Sequence, residues 1–261
     1  MKITITDKNK KDIFVSLFNV LKNCSSTINA TFEHEKLHIQ GMDKSHVCLF
    51  DVKLNKNWFS TYDVLENIKI SFDAIVFHSI ISSKSDGQNL NMYMSNNNQD
   101  VFHIDFESNS NISKKGNFNK KFKMNLTDYE YEEMAIPNVD YESEFTISSK
   151  QITDMFSQLI NFGDNIIIRC SEENIQLTTN GDIGEMQVEV CIDDLTNYTI
   201  IEHEEFVTFE YSLLYINKMC ITNKISNEID FSLSSNCPMK ISYNLGDNSY
   251  VEFYIAPKLS N

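Results

Sequence analysis

The chain has 261 residues, of which 41% are hydrophobic and 23% charged, so it has enough apolar surface for a folded core and is not a disordered polymer. Its 22 basic and 37 acidic residues give a net charge of −15, which argues against a protein that coats nucleic acid with its whole surface. No apolar run reaches the roughly 18 residues of a membrane helix, and residues 1–6 alternate like a strand instead of forming the apolar block of a signal peptide. We therefore expect a soluble, intracellular protein.

The sequence lacks the residue spacings that metal and nucleotide chemistry require. Its six cysteines include no CxxC pair, so we interpret them as buried, reduced thiols and expect no metal site. Its seven glycines include no GxxxxGK loop, which disfavours nucleotide hydrolysis. We expect no catalytic residue and no cofactor.

Charge is divided unevenly along the chain. Residues 1–124 carry 16 lysines against 13 acids, whereas the remainder carries 6 basic residues against 24 acids. An acidic, glycine-free segment with a few apolar anchors separates the two parts, as expected of an extended connector. The predicted organisation is an N-terminal domain (1–124), a connecting loop (125–143) and a C-terminal domain (144–261).

From the N-terminus onward, both domains show the same succession of predicted elements. An alternating strand comes first, then an amphipathic helix with apolar residues at 13, 14, 17 and 21 or at 152, 155, 156 and 159. Short strands follow, then a second helix, predicted over Phe72–Ile81 in one domain and Ser212–Cys220 in the other, and finally more alternating strands. Few short helices on many antiparallel strands predict an α+β protein built from two similar domains.

Four short blocks carry a more specific resemblance. Gln40–Leu49 reads QGMDKSHVCL, Glu133–Pro137 reads EMAIP, Gly163–Ile168 reads GDNIII and Phe253–Lys258 reads FYIAPK. In this order, and in a chain of this length, they resemble the proliferating cell nuclear antigen family of DNA sliding clamps, whose Met-Asp-x-Ser-His-Val segment the first block matches.

The resemblance implies a clamp fold, with two short helices on antiparallel sheets in each domain. It also implies a closed head-to-tail homotrimer around double-stranded DNA, held without sequence preference. Such a ring tethers a DNA polymerase to its template and makes it processive, which is an effect of local concentration and not of bond chemistry. The implied partners are further copies of the chain and a DNA polymerase, clamp loader, ligase and nuclease that dock through short apolar and aromatic peptides. The implied location is the nucleus, or a viral replication compartment if the source is a virus.

Two other functions stay open. The first is a clamp-fold scaffold for transcription or checkpoint factors that does not itself act as a processivity ring. The second is an enzyme, which is disfavoured because the six histidines are scattered and no nucleophile and base are paired in the sequence.

Two predicted strands have complementary faces. Between residues 118 and 124, the residues of a largely basic face alternate with those of a largely apolar face. Between residues 185 and 192, acidic side chains alternate with apolar ones. Complementary edges suit a heterologous interface, and the resemblance implies that these strands pair between subunits. The expected interface residues are Lys121, Phe122, Lys123, Met124, Glu185, Val188, Glu189 and Val190.

The expected DNA-facing residues are lysines of the first and fourth helices. Lys11 and Lys22 are eleven residues apart, which is three helical turns, so we expect both on the solvent face. Only Lys22 matches a pore lysine of the family, while Val15 and Ser16 stand where lysines are expected, which predicts a shallow salt dependence of DNA contact. The full set is Lys8, Lys10, Lys11, Lys22 and Lys218.

The resemblance also implies a peptide-binding pocket between the connecting loop and the C-terminal tail. For Val47 and Leu49 the alternative is ordinary core packing, and the acidic loop should favour peptides flanked by basic residues. Glu172 stands where the family carries a modifiable lysine, so ubiquitination is not expected there. The matching positions are Met42, His46, Val47, Leu49, Met134, Ile136, Pro137, Tyr141, Pro238, Ala256, Pro257, Lys258 and Leu259.

Overall fold

The computed structural model describes residues 1–95, 98–108, 118–128, 131–201 and 205–258, without the side chains of residues 98 and 99. The chain forms two compact units. The first comprises Met1–Gly41, Asp51–Met134 and Leu245–Tyr250, and the second comprises Met42–Phe50, Ala135–Asn244 and Val251–Asn261.

The described residues form short helices and many strands. The helices are α1 (Lys8–Cys24), α2 (Ala74–Ser82), α3 (Ser149–Leu159) and α4 (Leu213–Met219). The strands before the connecting loop are β1 (Lys2–Ile5), β2 (Thr27–Phe32), β3 (Lys36–Met42), β4 (Cys48–Asn55), β5 (Thr61–Asp63), β6 (Ile68–Asp73), β7 (Gln88–Ser95), β8 (Asn98–Ser108) and β9 (Lys120–Asn125). Those after it are β10 (Ser143–Ser148), β11 (Asn165–Cys170), β12 (Asn174–Gly181), β13 (Gly184–Cys191), β14 (Asn197–Ile200), β15 (Val207–Ser212), β16 (Glu228–Leu233), β17 (Met239–Gly246) and β18 (Ser249–Ile255).

In the first unit, two helices pack on antiparallel strands. Asp7 begins α1, because its carboxylate accepts the backbone N–H of Lys10 at 2.7 Å. The buried side of α1 meets α2 through aromatic rings, with the Phe18 and Phe77 centroids 4.6 Å apart. One sheet of this unit has the order β5-β1-β7-β8-β9, so β9 lies at its edge.

The second unit repeats this plan with α3 and α4. Its four-stranded sheet has the order β13-β12-β11-β15, so β13 is an edge strand. The rings of Phe145 and Phe231 stack 4.9 Å apart in the core. Gly163 follows α3 where the backbone runs close to β12: a Cβ there would lie 2.3 Å from the carbonyl oxygen of Asn180, which explains the glycine at the start of the GDNIII block.

The prediction of two similar α+β domains is confirmed. The second helix is shorter than predicted, because Phe72 and Asp73 complete β6 in register with β2 and α2 begins only at Ala74. The α4 boundaries differ from the prediction by one residue at each end. Within the described residues, no helix is long and apolar enough to cross a membrane.

Candidate functional site

An open apolar pocket of about 170 Å³ lies in the second unit. It is formed by the loop before β4, the connecting loop, the turn before β17 and the C-terminal end of β18. The backbone N–H of Ala256 donates to the carbonyl of Val47 at 2.9 Å, which holds the C-terminal segment beside the first of these loops. The predicted residues that line it are Met42, His46, Val47, Leu49, Ile136, Pro137, Tyr141, Pro238 and Ala256.

Val47 and Leu49 are half-buried, so they form the wall of an accessible pocket and not the interior of a core. Ordinary core packing, the alternative for these two residues, is therefore wrong. Because most of the lining is apolar, the pocket is suited to apolar or aromatic side chains of a ligand.

Three of the predicted residues that the structure describes are not in the pocket lining. Met134 belongs to the first unit, and Pro257 does not reach the cavity. Lys258 turns instead to Glu210, with an ion pair of 2.8 Å and a backbone hydrogen bond of 3.0 Å. Leu259 lies outside the described residues.

Sequence reasoning missed three residues that line the pocket, Ala135, Val139 and Tyr254. A signal was present for each of them. Ala135 lies in the EMAIP block. Tyr254 lies in the FYIAPK block, and Val139 lies midway between Pro137 and Tyr141, the spacing by which an extended chain turns every second side chain to one side.

Asp43 organises the loop that carries His46 and Val47. Its Oδ1 accepts the backbone N–H groups of Val47 at 2.8 Å and Cys48 at 2.7 Å, and its Oδ2 accepts the N–H of Ser45 at 2.9 Å and the hydroxyl of Tyr215 at 3.1 Å. Burial raises the pKa of Asp43, but these hydrogen bonds outweigh it and leave the pKa below its ordinary value of 3.8.

The same loop holds His46 in the left-handed region, with φ of 57°. A side chain other than glycine adopts this conformation only where the surrounding structure fixes it. The hydrogen bonds of Asp43 on both sides of His46 supply that constraint, and the imidazole lines the pocket as a result. A binding role thus fits His46, whereas no nucleophile or carboxylate contacts it in the described residues.

The wall opposite this loop is aromatic and lies among acidic groups. Tyr141 receives Lys240 over its ring, with Nζ 5.2 Å from the centroid. Burial raises the pKa of the Tyr141 hydroxyl to about 12, and the nearby carboxylates of Glu252 and Glu144 add to the shift. The hydroxyl of Tyr254 donates to Glu252 at 2.6 Å. The Tyr141 phenol is therefore neutral at physiological pH, and the carboxylates of Glu252 and Glu144 favour a ligand with flanking cations.

Gln40 fixes the segment of the connecting loop that precedes the pocket residues. The backbone N–H of Met134 donates to Gln40 Oε1 at 2.7 Å, and Gln40 Nε2 donates to the carbonyl of Met134 at 3.1 Å. The hydroxyl of Tyr131 donates to the same Oε1 at 2.9 Å. Met134, predicted as a lining residue, is therefore an anchor of the loop.

Of the predicted DNA-facing lysines, Lys11 does not face solvent, and this prediction is wrong. Only 3% of Lys11 is exposed, and its Nζ donates to the carbonyl of Gln88. The long aliphatic stem can pack along the helix while the charged end meets a backbone acceptor, an arrangement that helical spacing does not reveal.

The other four lysines lie at or near the surface, but two of them form ion pairs with aspartates. Lys8 pairs with Asp86 at 2.8 Å and Lys10 with Asp247 at 2.9 Å. Neither of the remaining two forms an ion pair with a carboxylate in the described part of the chain: Lys22 contacts His78 Nδ1 at 3.1 Å, and Lys218 lies 5.2 Å from the ring centre of Tyr215.

The predicted interface residues lie on two edge strands. On β9, Lys121 and Lys123 are exposed, Phe122 is half-buried and Met124 is buried. On β13, Glu185 and Glu189 are exposed, Val188 is half-buried and Val190 is buried. In the described residues each strand pairs on one side only, so each offers an unpaired backbone edge with charges of one sign.

Comparison with known proteins gives matches to one family over nearly the whole chain. Residues 7–133 match the family model "Proliferating cell nuclear antigen, N-terminal domain", and residues 135–258 match the model of the C-terminal domain. The proliferating cell nuclear antigen of Chaetomium thermophilum is 24% identical over 255 residues, which is 95% of each chain.

Two solved structures are similar in fold. The clamp of Thermococcus kodakaraensis has a TM-score of 0.85 and 18% identity, with 98% of this chain and 99% of that chain covered. A chain of the PCNA2–PCNA3 complex of Sulfolobus tokodaii has a TM-score of 0.86 and 21% identity, with 99% of each chain covered.

Proposed function

Because the chain belongs to the proliferating cell nuclear antigen family of DNA sliding clamps, we propose that it is a DNA polymerase processivity factor, a homotrimeric ring that encircles duplex DNA. The observation that supports this proposal best is the open apolar pocket, whose lining includes nine of the residues at which the resemblance implies partner binding. An accessible apolar site of this kind is typical of peptide docking.

The proposed partners follow from the pocket and the edges. A polymerase, clamp loader, ligase or nuclease would dock an apolar and aromatic peptide in the pocket, with basic residues beside it. The edges of β9 and β13 would pair head to tail between subunits. We place this activity in the nucleus or in a viral replication compartment.

Topological retention on DNA tests the ring directly. The chain is incubated with linear duplex DNA, and both ends are then blocked with bulky biotin–streptavidin complexes. A ring that has threaded onto the DNA stays bound at high salt when the ends are blocked and leaves when they are open. Equal loss from both substrates would contradict encirclement, because electrostatic binding alone is weakened by salt regardless of the ends.

Peptide binding tests the pocket. A fluorescent peptide with an aromatic pair and basic flanks should bind the chain, and Ile136→Ala should weaken its affinity about tenfold, since it removes buried apolar area from the pocket wall. The control is Ile167→Ala, because Ile167 on β11 is an accessible isoleucine that does not line the pocket. Equal losses in the two variants would place the peptide elsewhere.

A non-processive scaffold is the second candidate, favoured by the sparse positive charge of the helices. The sequence of α2 contains no lysine or arginine, and α3 contains one lysine beside one aspartate. If the pocket binds peptides but the chain shows no retention on blocked DNA, the scaffold function replaces the clamp function.

A further inference from the structure

A chain of ionisable groups connects the β3–β4 pair of the first unit to the connecting loop. His38 Nε2 lies 2.7 Å from Asp51 Oδ1, and His38 Nδ1 lies 3.5 Å from Glu133 Oε1. The exposed fraction of the side chains is 12% for His38, 6% for Asp51 and 45% for Glu133. The bridge therefore starts from a buried carboxylate and ends on the half-exposed loop.

Asp51 is the fixed end of this bridge. Its Oδ2 accepts the hydroxyl of Tyr250 at 3.1 Å, and its Oδ1 also accepts Gln40 Nε2 at 3.2 Å. Glu133 is the free end, since in the described residues His38 is the only group with which it forms an ion pair or hydrogen bond. A change at His38 is thus expected to release Glu133 and leave Asp51 in place.

The loop is held by two attachments of different chemistry on neighbouring residues. Gln40 binds the backbone of Met134 through a neutral amide, which does not titrate. His38 binds the side chain of Glu133 through charge. Along the chain, the next residues are Ala135, Ile136 and Pro137, and all three line the pocket.

The bridge exists only while both imidazole nitrogens carry a proton. Neutral histidine has one N–H, and the buried carboxylate of Asp51 keeps that proton on Nε2. Nδ1 then presents a lone pair to the Glu133 carboxylate, so the attraction is lost.

The surroundings of His38 set the pH at which the bridge is lost. The hydrogen bond to Asp51 raises the pKa of His38 above its ordinary 6.5, and the negative charges of Asp51 and Glu133 add to this increase. Burial and the positive charge of Lys36 act in the opposite direction. The β2 residue opposite His38 is Thr31, which is uncharged. The bridge is therefore complete at pH 6 and is lost as pH rises through the raised pKa.

We propose that His38 is a positioning residue of the partner-peptide pocket: its charged form ties Glu133 to Asp51 and preorganises the loop, and loss of that charge loosens the segment that continues into Ala135–Pro137. The effect on peptide affinity rests on the proposed function, whereas the bridge itself does not. For one partly exposed ion pair the expected change is about two- to fivefold, with tighter binding at lower pH because a preorganised site loses less freedom on binding.

Hydrogen exchange of the free protein tests the bridge without a partner. Protection of residues 131–136, after correction for the intrinsic pH dependence of exchange, should fall about two- to fivefold between pH 6 and pH 9. Glu133→Gln should abolish this dependence while it keeps the shape of the side chain. The matched control is Glu132→Gln, an exposed neighbour with the same charge change, which should behave like the parent chain.

Anisotropy with a pocket peptide tests the consequence. The peptide lacks histidine and cysteine and is blocked at its N-terminus, so that it does not titrate between pH 6 and pH 9. Over that range its affinity should fall about two- to fivefold more for the parent chain and for Glu132→Gln than for Glu133→Gln, because any contribution of His46, which lines the pocket, is common to all three. Protection that is independent of pH in the parent chain would overturn the bridge even if the peptide binds. If protection changes with pH as expected but the peptide binds at no pH, the proposed function is overturned and the bridge is not.

Discussion

At the scale of single residues, Asp43 holds one wall of the pocket in place. One buried carboxylate accepts four hydrogen bonds and so fixes the loop that carries His46 and Val47. Removal of such an acceptor leaves buried donors without partners, which costs about 1–3 kcal/mol each at sites that water cannot reach.

Asp43→Ala should therefore lower the free energy of unfolding by about 2 kcal/mol or more and reduce peptide affinity at least tenfold. Tyr215→Phe removes only one of the four bonds and should cost about 1 kcal/mol, with a smaller loss of affinity. Urea unfolding and peptide anisotropy measure both quantities. Equal effects of the two variants would show that the backbone hydrogen bonds do not control the loop.

Lys11 and Lys22 lie on the same helix but have different surroundings, which separates stability from DNA contact. Lys22→Ala should weaken binding to duplex DNA at low salt, measured by fluorescence anisotropy, whereas Lys11→Met should leave it unchanged. Since Met fills a similar volume and the buried cation is replaced by an apolar chain, Lys11→Met should alter the unfolding free energy by about 1 kcal/mol or less. Weaker low-salt DNA binding by the folded Lys11→Met variant would contradict the structural role of Lys11.

At the scale of elements, the proposed ring requires that the charges of the two edge strands select the pairing. Lys121→Glu with Lys123→Glu should shift the assembly from trimer to monomer at micromolar concentration, because acidic β9 would face acidic β13. Light scattering should show a fall from about three times the chain mass of 30.2 kDa to that mass. Addition of Glu185→Lys and Glu189→Lys should restore the trimer.

Lys150→Glu with Lys224→Glu is the matched control for that experiment. It makes the same change in net charge at exposed positions outside β9 and β13. If this pair dissociates the assembly equally, net charge and not the edges governs association.

The elements also show how far the sequence could predict the structure. Alternation along β9 and β13 predicted which side chains are exposed, because a strand turns each second residue to one side. The run from Phe72 to Ile81 did not reveal its strand–helix junction, because an apolar stretch fits either element; the pairing of Phe72 with Ile28 decides it.

The pocket could also be predicted in part from the sequence. Nine of its lining residues followed from the resemblance; seven of them lie in three of the four blocks, and Tyr141 and Pro238 lie outside the blocks. Lys11 was not predictable, because its acceptor is a carbonyl 77 residues away in the sequence. His38, Asp51 and Glu133 form no local pattern either, because only the fold brings these three residues together.

At the scale of the whole molecule, the sparse positive charge of the helices should govern DNA contact. Exposed Val76 and Ser79 on α2 offer positions for added charge. Val76→Lys with Ser79→Lys should steepen the dependence of log K on log salt by about 0.9 for each new phosphate contact. Leu65→Lys, at an exposed position outside the helices, should leave the slope unchanged; an equal increase there would indicate a nonspecific effect.

The unpaired edges of β9 and β13 have a consequence for the chain before it assembles. A free strand edge is a template for aggregation, and two such edges on one chain could also grow into open filaments. Here like edges repel: two β9 strands would bring lysines together, and two β13 strands would bring glutamates together. In the proposed ring, the side chains that favour the correct neighbour would thus also oppose aggregation of the free subunit.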